Sequence, residues 1–333
     1  MKDLIRKVQS GDNLSREESY AAMSALLDSN ATYVQRYDFL VAMNAKDVTV
    51  DELVGFSQGI TAKAITISPK VDTLIDTCGT GGDGKGTMNV STGVAFVLST
   101  IGIPVAKHGN YAISSKSGSA DVLKALGYNV HLAPDACKRM IEEEQFGFLL
   151  APNFHPAMKT IAPVRKEVGR TIFNLLGPLC NPAPVTAQVI GVYDERLCEP
   201  FCHALKDLGL RRALVVHGSG LDELSTIDET LIYELNNGEI SYRRIKPEDF
   251  GLQRCRLEDV SGSSPEENAR HLKGVFAGEK GPRMDIIVLN AAAGIYVSDR
   301  VASLEDGIKQ AQEALYNQAV SKKAARIIER SNK

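Results

Sequence analysis

The stretch from Val71 to Thr92 constrains the chain more than any other. A short apolar run, Val71 to Thr77, gives way to four glycines within six residues (Gly79, Gly81, Gly82, Gly84), and Ser91-Thr92 opens a helical pattern that runs to about Ile101. A strand turning through glycines into a helix aims backbone N–H groups and the positive end of the helix dipole at one point, which favours an anion. Without Cβ atoms the backbone can approach phosphate oxygens closely. The plainer reading is a tight turn; the hydroxyls at the helix start favour phosphate.

Two familiar loops match these glycines on paper. Gly79-x-Gly81-x-x-Gly84 fits the dinucleotide fingerprint, which also wants an acidic residue about 20 positions on to hold a ribose. The next carboxylate after Asp83 is Asp121, so that reading fails. Gly79 to Lys85 fits the nucleotide-hydrolase loop, but Gly86 stands where Ser or Thr would hold magnesium, so that reading becomes secondary. Residues 84–120 instead carry Lys85, Lys107, His108 and Lys116, many hydroxyls and no carboxylate. Lys107-His108-Gly109-Asn110 follows a second strand pattern, and Ser114-Ser115-Lys116-Ser117-Gly118-Ser119 leads into a helix. Two anion-binding loops at one end of a sheet imply a ligand with two separated phosphate groups. Lys85 reads as a solvated surface charge.

Residues 1 to about 68 show helical patterns only. Ser15-x-x-Glu18 and Thr49-x-x-Glu52 are capping boxes ahead of apolar helical spacing. This small layer is expected to keep an apolar face that a second subunit could cover. Beyond Val71, strand and helix patterns alternate: strands at 104–106, 148–150, 188–192, 213–217 and 285–290, helices at 117–126 and 134–144. That alternation predicts an α/β domain with a largely parallel sheet. Leu231 to Lys246, with Asn236-Asn237-Gly238 at its centre, predicts a β-hairpin, so the sheet is mixed. Glu142-Glu143-Glu144 reads as a solvated helix face.

Across 333 residues, 38 Lys and Arg stand against 41 Asp and Glu, a net charge of −3. A nucleic-acid coat would want a basic surplus. The six cysteines form no C-x-x-C pair, so no local zinc site is expected, and they read as reduced thiols of a cytoplasmic protein. The first residues hold no apolar signal segment, and polar residues and glycines interrupt 86–106, so no membrane span is expected.

A second cluster follows the strand at 213–217: Gly218-Ser219-Gly220-Leu221-Asp222-Glu223. Adjacent carboxylates beside phosphate loops make a credible Mg²⁺ site, because magnesium is often shared between one or two carboxylates and substrate phosphates. Arg165, near Phe173 and Gly177-Pro178, could clamp a carboxylate while a ring packs alongside; a structural ion pair is the equal alternative.

Taken in order, Cys78-Gly79-Thr80-Gly81-Gly82-Asp83, Asn89-Val90-Ser91-Thr92, Lys107-His108-Gly109-Asn110, Ser114 to Ser119, Ala151 to Met158, Arg170 to Pro178 and Gly220-Leu221-Asp222-Glu223 resemble the anthranilate phosphoribosyltransferase family along almost the whole chain. The resemblance implies a nucleoside phosphorylase/phosphoribosyltransferase-like fold. A small all-helical domain would span residues 1–69, completed by a helical segment near 160–176, with an α/β catalytic domain over 70–333. It implies transfer of the phosphoribosyl group of phosphoribosyl pyrophosphate (PRPP) to anthranilate in tryptophan biosynthesis, by a homodimer joined through the helical part.

By the same resemblance, Gly79, Gly82, Asp83, Thr87, Asn89, Ser91, Thr92, Lys107, Ser115 and Ser119 would bind PRPP, and Gly79, Asn110 and Arg165 would bind anthranilate. Ser91, Asp222 and Glu223 would hold Mg²⁺, two ions per subunit; from its chemistry alone, His108 is the residue best placed to handle a proton or orient substrate, with packing the equal alternative. No nucleic-acid or membrane partner is implied. The chain departs from the family pattern at Tyr111, where Arg is usual, and has one residue fewer before Arg170. The rivals are a pyrimidine nucleoside phosphorylase, which shares the fold without needing the acidic pair, and a nucleic-acid-binding relative, which would need a basic groove.

Overall fold

The computed structural model describes residues 1–112 and 116–333. Four helices come first: α1 (Lys2–Gln9), α2 (Arg16–Leu26), α3 (Tyr33–Asn44) and α4 (Val50–Thr61). Both expected capping boxes form, Ser15 with Glu18 and Thr49 with Glu52. Thr32 with Gln35 adds a third. Each satisfies two backbone donors that a helix start leaves unpaired.

The rest alternates as expected: β1 (Ile75–Gly79), α5 (Val90–Thr100), β2 (Val105–Gly109), α6 (Ser119–Leu126), α7 (Pro134–Glu144), β3 (Phe146–Leu150) and the short α8 (Ala151–Phe154). Then come α9 (Ala162–Val168), α10 (Phe173–Leu176), β4 (Ala187–Gly191), α11 (Cys198–Asp207), β5 (Arg212–His217), β6 (Thr230–Asn236) and β7 (Glu239–Ile245). Four helices close the chain: α12 (Pro265–Phe276), α13 (Pro282–Val297), α14 (Leu304–Tyr316) and α15 (Ala319–Ser331).

The sheet runs β3-β2-β1-β4-β5-β6-β7. Its first five strands are parallel, and the β6–β7 hairpin adds two antiparallel ones. Asn237 and Gly238 both have positive φ, the conformation a two-residue hairpin turn demands. From β1 the chain winds outward to β2 and β3, then returns to the other side of β1 as β4. That reversal opens a crevice at the strands' carboxyl ends, where ligands of such sheets bind.

One face of the sheet packs on α5 and the C-terminal helices. The other shares a single apolar core with α11 and the N-terminal helices: Phe39, Phe56 and Met23 belong to the same cluster as Ile190, Val215 and Phe201. Ile161, Val164 and Phe173, around α9 and α10, join that cluster too.

Three expectations are corrected. Asp285 to Asn290 is not a strand but the middle of α13, whose residues from Ile286 to Ile295 are all buried. A helix enclosed on every side needs apolar residues all round, which erases the 3.6-residue period that would distinguish it. The first strand begins at Ile75 rather than Val71, because pairing starts only at Ile75 opposite Val105 and Ala187. Glu142 to Glu144 is a solvated face only at Glu143, which is exposed and pairs with Arg330; Glu144 is fully buried and bridges Lys323 and Arg326 of α15. Among the described residues no helix is long and apolar enough to cross a membrane.

Candidate active site

The crevice between β1 and β4 is filled by the turn after β5. His217 sets that turn: its Nδ1 lies 2.8 Å from the Val192 carbonyl, and its Nε2 accepts the Gly220 N–H at 3.0 Å. Asp222 is thereby driven between the two strand ends. A Cβ on Gly79 would lie 2.2 Å from Asp222 Oδ2, and one on Gly191 only 1.6 Å from the Asp222 carbonyl oxygen. Gly79 and Gly191 are register partners, so the site requires a glycine on each strand to admit the acid.

Asp222 Oδ2 accepts the Gly81 N–H at 2.7 Å. Glu223 Oε1 accepts the Ser91 N–H at 3.3 Å, at the start of α5. Burial, and then the neighbouring Asp83 charge, push Asp222 up to about 7; burial followed by Asp222 raises Glu223 well above the carboxylate range. Asp83 Oδ2 is buried with no hydrogen-bond partner among the described residues. Acids crowded in this way are short of positive charge. Lys107 Nζ is nearby but committed to the Thr77 carbonyl at 2.6 Å and Ser91 Oγ at 3.1 Å. Burial lowers its pKa, countered by Asp76.

The residues fit a hard divalent cation held partly by something else. The donors are carboxylate oxygens, one of them unpartnered, yet among the described residues no three His, Cys, Asp or Glu side chains form a ready-made metal cage. Magnesium characteristically completes its shell with phosphate oxygens and water.

The remaining expected anion-binding residues gather around this cluster. Gly82 carries positive φ, and a Cβ there would lie 2.7 Å from the Arg170 guanidinium, which donates to the Gly82 carbonyl at 3.2 Å and stacks 3.7 Å from the Tyr193 ring. Thr87 bridges to Ser261, so the segment after residue 257 clamps the glycine loop from outside. Thr92 is fully buried with its hydroxyl unpartnered. The Asn89 carboxamide exchanges two hydrogen bonds with Ser117, and Ser119 Oγ donates to the Asn110 carbonyl at 3.3 Å. Ser114 and Ser115 lie outside the described residues. Lys85 is exposed.

Gly79 also opens onto a cavity of about 400 Å³ walled by Asn110, Pro152, Phe173 and Pro178, with Arg165 in its lining. The Arg165 guanidinium sits 5.0 Å from the Phe173 ring centroid. Burial lowers its pKa with no carboxylate among the described residues countering it, so Arg165 is not the structural ion pair that the sequence left open. The same lining holds His108 and His155, ring centroids 5.1 Å apart. Burial and the neighbouring His155 lower His108 to about 3, and burial lowers His155 to about 4, so both are neutral at pH 7. His108 Nδ1 lies 3.3 Å from the Gly177 carbonyl, which leaves the buried, unpartnered Nε2 as an acceptor. His155 and Arg170 lie inside motifs that the sequence marks, but only their surroundings in space reveal what they touch. A cavity lined by Arg165 therefore meets the acidic glycine loop at Gly79.

Two family models match: the glycosyl transferase family helical bundle domain over residues 2–64 and its a/b domain over 71–319. The chain is 49% identical over 317 residues to anthranilate phosphoribosyltransferase from Methanosarcina acetivorans, covering 95% of this chain and 85% of that one. Its structure is similar to anthranilate phosphoribosyltransferase from Thermus thermophilus, with TM-score 0.94, 40% identity, and 99% and 100% of the two chains covered. It is also similar to the Saccharomyces cerevisiae enzyme in complex with PRPP and Mg, with TM-score 0.89, 27% identity, and 99% and 97% covered. With the crevice, the paired glycines and the unpaired cavity arginine in place, this similarity over nearly the whole length shows that the chain belongs to the anthranilate phosphoribosyltransferase family.

Proposed function

We propose that the crevice binds PRPP and the adjoining cavity binds anthranilate, with Gly79 as their shared wall. The protein transfers the phosphoribosyl group of PRPP to the amine of anthranilate, giving N-(5-phosphoribosyl)anthranilate and pyrophosphate, in tryptophan biosynthesis. The observation that carries this reading is Arg165, a half-buried guanidinium without a carboxylate, facing a slot that opens directly onto the acidic loop.

Breaking the bond from C1 to pyrophosphate leaves positive charge on the ribose and negative charge on the leaving group. Ser91, Asp222 and Glu223 would hold Mg²⁺, two ions per subunit, which when bound would neutralise that leaving charge. Lys107, the backbone of Gly79, Gly82 and Asp83, and the side chains of Thr87, Asn89, Ser91, Thr92, Ser115 and Ser119 hold the donor. Arg165 grips the acceptor carboxylate, Asn110 and Gly79 flank the ring, and His108 Nε2 accepts an amine N–H. With its pKa near 3, His108 orients the amine rather than deprotonating it. An aromatic amine attacks without prior deprotonation, so positioning and electrostatics carry the rate.

The domain division at 69/70, a homodimer through the helical part and a cytoplasmic location belong to the same reading. Tyr20, Tyr33, Val34 and Val41 expose apolar surface on α2 and α3, which supports the dimer. The test is loss of anthranilate fluorescence on adding PRPP. Consumption that needs both substrates and Mg²⁺ is expected; a folded protein that leaves anthranilate untouched overturns the reading.

A further inference from the structure

Asp121 is the first carboxylate after Asp83, and it stands beside loops fitted for a polyanion. An acid there would repel the donor unless its charge were already engaged. Asp121 Oδ2 accepts the Ala112 N–H at 2.8 Å and the Gly118 N–H at 3.0 Å. One oxygen therefore fastens the chain leaving Asn110 to the chain entering α6. A helix-capping role accounts for the bond to Gly118, the N-cap of α6, but not for the bond to Ala112, which lies outside that helix.

Other contacts converge on the same junction. The Asn110 carbonyl accepts both the Ala120 N–H at 3.2 Å and the Ser119 hydroxyl at 3.3 Å. A Cβ on Gly118 would sit 2.4 Å from the Ala112 nitrogen and 2.7 Å from the Asn110 oxygen, so the two strands of the junction are in backbone contact. The Asn89 carboxamide, at the start of α5, donates to the Ser117 carbonyl at 3.3 Å and accepts the Ser117 hydroxyl at 3.2 Å. Asn110 walls the acceptor cavity, and Asn89 and Ser119 belong to the donor loops, so the junction touches both sites.

We propose that Asp121 is a positioning residue that locks Asn110 and the Ser117–Ser119 segment into one register, so that the donor and acceptor sites are set together. The proposal rests on the transferase reading above. Neither substrate needs to touch Asp121; its effect passes through Asn110 and Ser119.

The test is steady-state kinetics in both substrates on the full-length protein, with a thermal melt of each variant. For Asp121→Ala, KM for PRPP and for anthranilate are each expected to rise about tenfold, the worth of one charge-assisted hydrogen bond, with a smaller change in kcat. Asp121→Asn keeps a carbonyl oxygen that can accept both N–H groups and is expected to restore both KM values. A folded Asp121→Ala with both KM values unchanged overturns the proposal, even if its melting temperature falls, because a purely structural acid would do only that. If Asp121→Ala does not fold, Asp121→Ser, too short to reach both donors, takes its place, and unchanged KM values there overturn it equally. Wild-type protein that fails to consume anthranilate would instead overturn the transferase reading.

Discussion

Arg165 stands over the Phe173 ring with its guanidinium half withdrawn from water and no acid among the described residues to answer it. Removing it should cost the acceptor a charge-assisted contact. Arg165→Ala is expected to raise the anthranilate KM by about 10- to 100-fold and leave the PRPP KM unchanged; an unaltered anthranilate KM in initial-rate assays would take Arg165 out of the carboxylate role. His155 makes a different prediction. Burial holds its pKa near 4 against an ordinary value of 6.5. Between those values the unfolded chain takes up a proton that the folded chain refuses. Its stability contribution is therefore complete above about pH 6.5 and is lost as pH falls towards 4. His155→Phe abolishes this titration, so its melting temperature should fall less steeply with acidification than the wild type's; parallel curves would show that His155 does not carry the slope. At this scale the sequence marks residue types well and their state poorly. Arg165 and Glu144 are both charged residues in helical segments, yet one is unpaired in a cavity and the other is buried among cations.

Glu144 belongs to the next scale, because it fastens one element to another. It closes α7, and its carboxylate meets Lys323 and Arg326 on α15, with Arg330 at 3.6 Å. Glu144→Ala leaves those cations without their buried partner and should destabilise the fold by about 2–4 kcal/mol in denaturant titrations. The proposed active site lies at the other end of the sheet, so kcat should be retained; a loss of activity without loss of stability would contradict this placement. Helices with a polar side announce themselves, as α2 and α4 do through their capping boxes. The hairpin β6–β7 does so through Asn237-Gly238. The enclosed α13 does not, although it matters to the site: its Asn290 side chain bonds both the Leu224 N–H and carbonyl, directly after Glu223.

Over the whole molecule, the N-terminal helices do not form a detached bundle. Their inner side shares a core with α11 and one sheet face, while the outer side presents Val34 and Val41 at 63% and 44% exposure. Charges placed there should disrupt a subunit contact and spare the core. Val34→Asp with Val41→Asp is expected to convert a dimer to a monomer in sedimentation velocity, with the melting temperature of the monomer little changed. A dimer that persists would move the interface elsewhere.

By itself the sequence determined the helical layer, the alternation into a mixed sheet, the glycine-rich turn from strand into helix and the adjacent carboxylates Asp222 and Glu223. Each of these is written in neighbours a few residues apart, as capping residues, glycine spacing or a period of two or 3.6. Only the tertiary structure decided that Asp222 enters between Gly79 and Gly191, that Arg165 has no carboxylate partner among the described residues, that 285–290 is helix, and that Asp121 ties Ala112 to Gly118. Those facts depend on distances between residues far apart in the chain and on which charges water can still reach, and packing alone sets both.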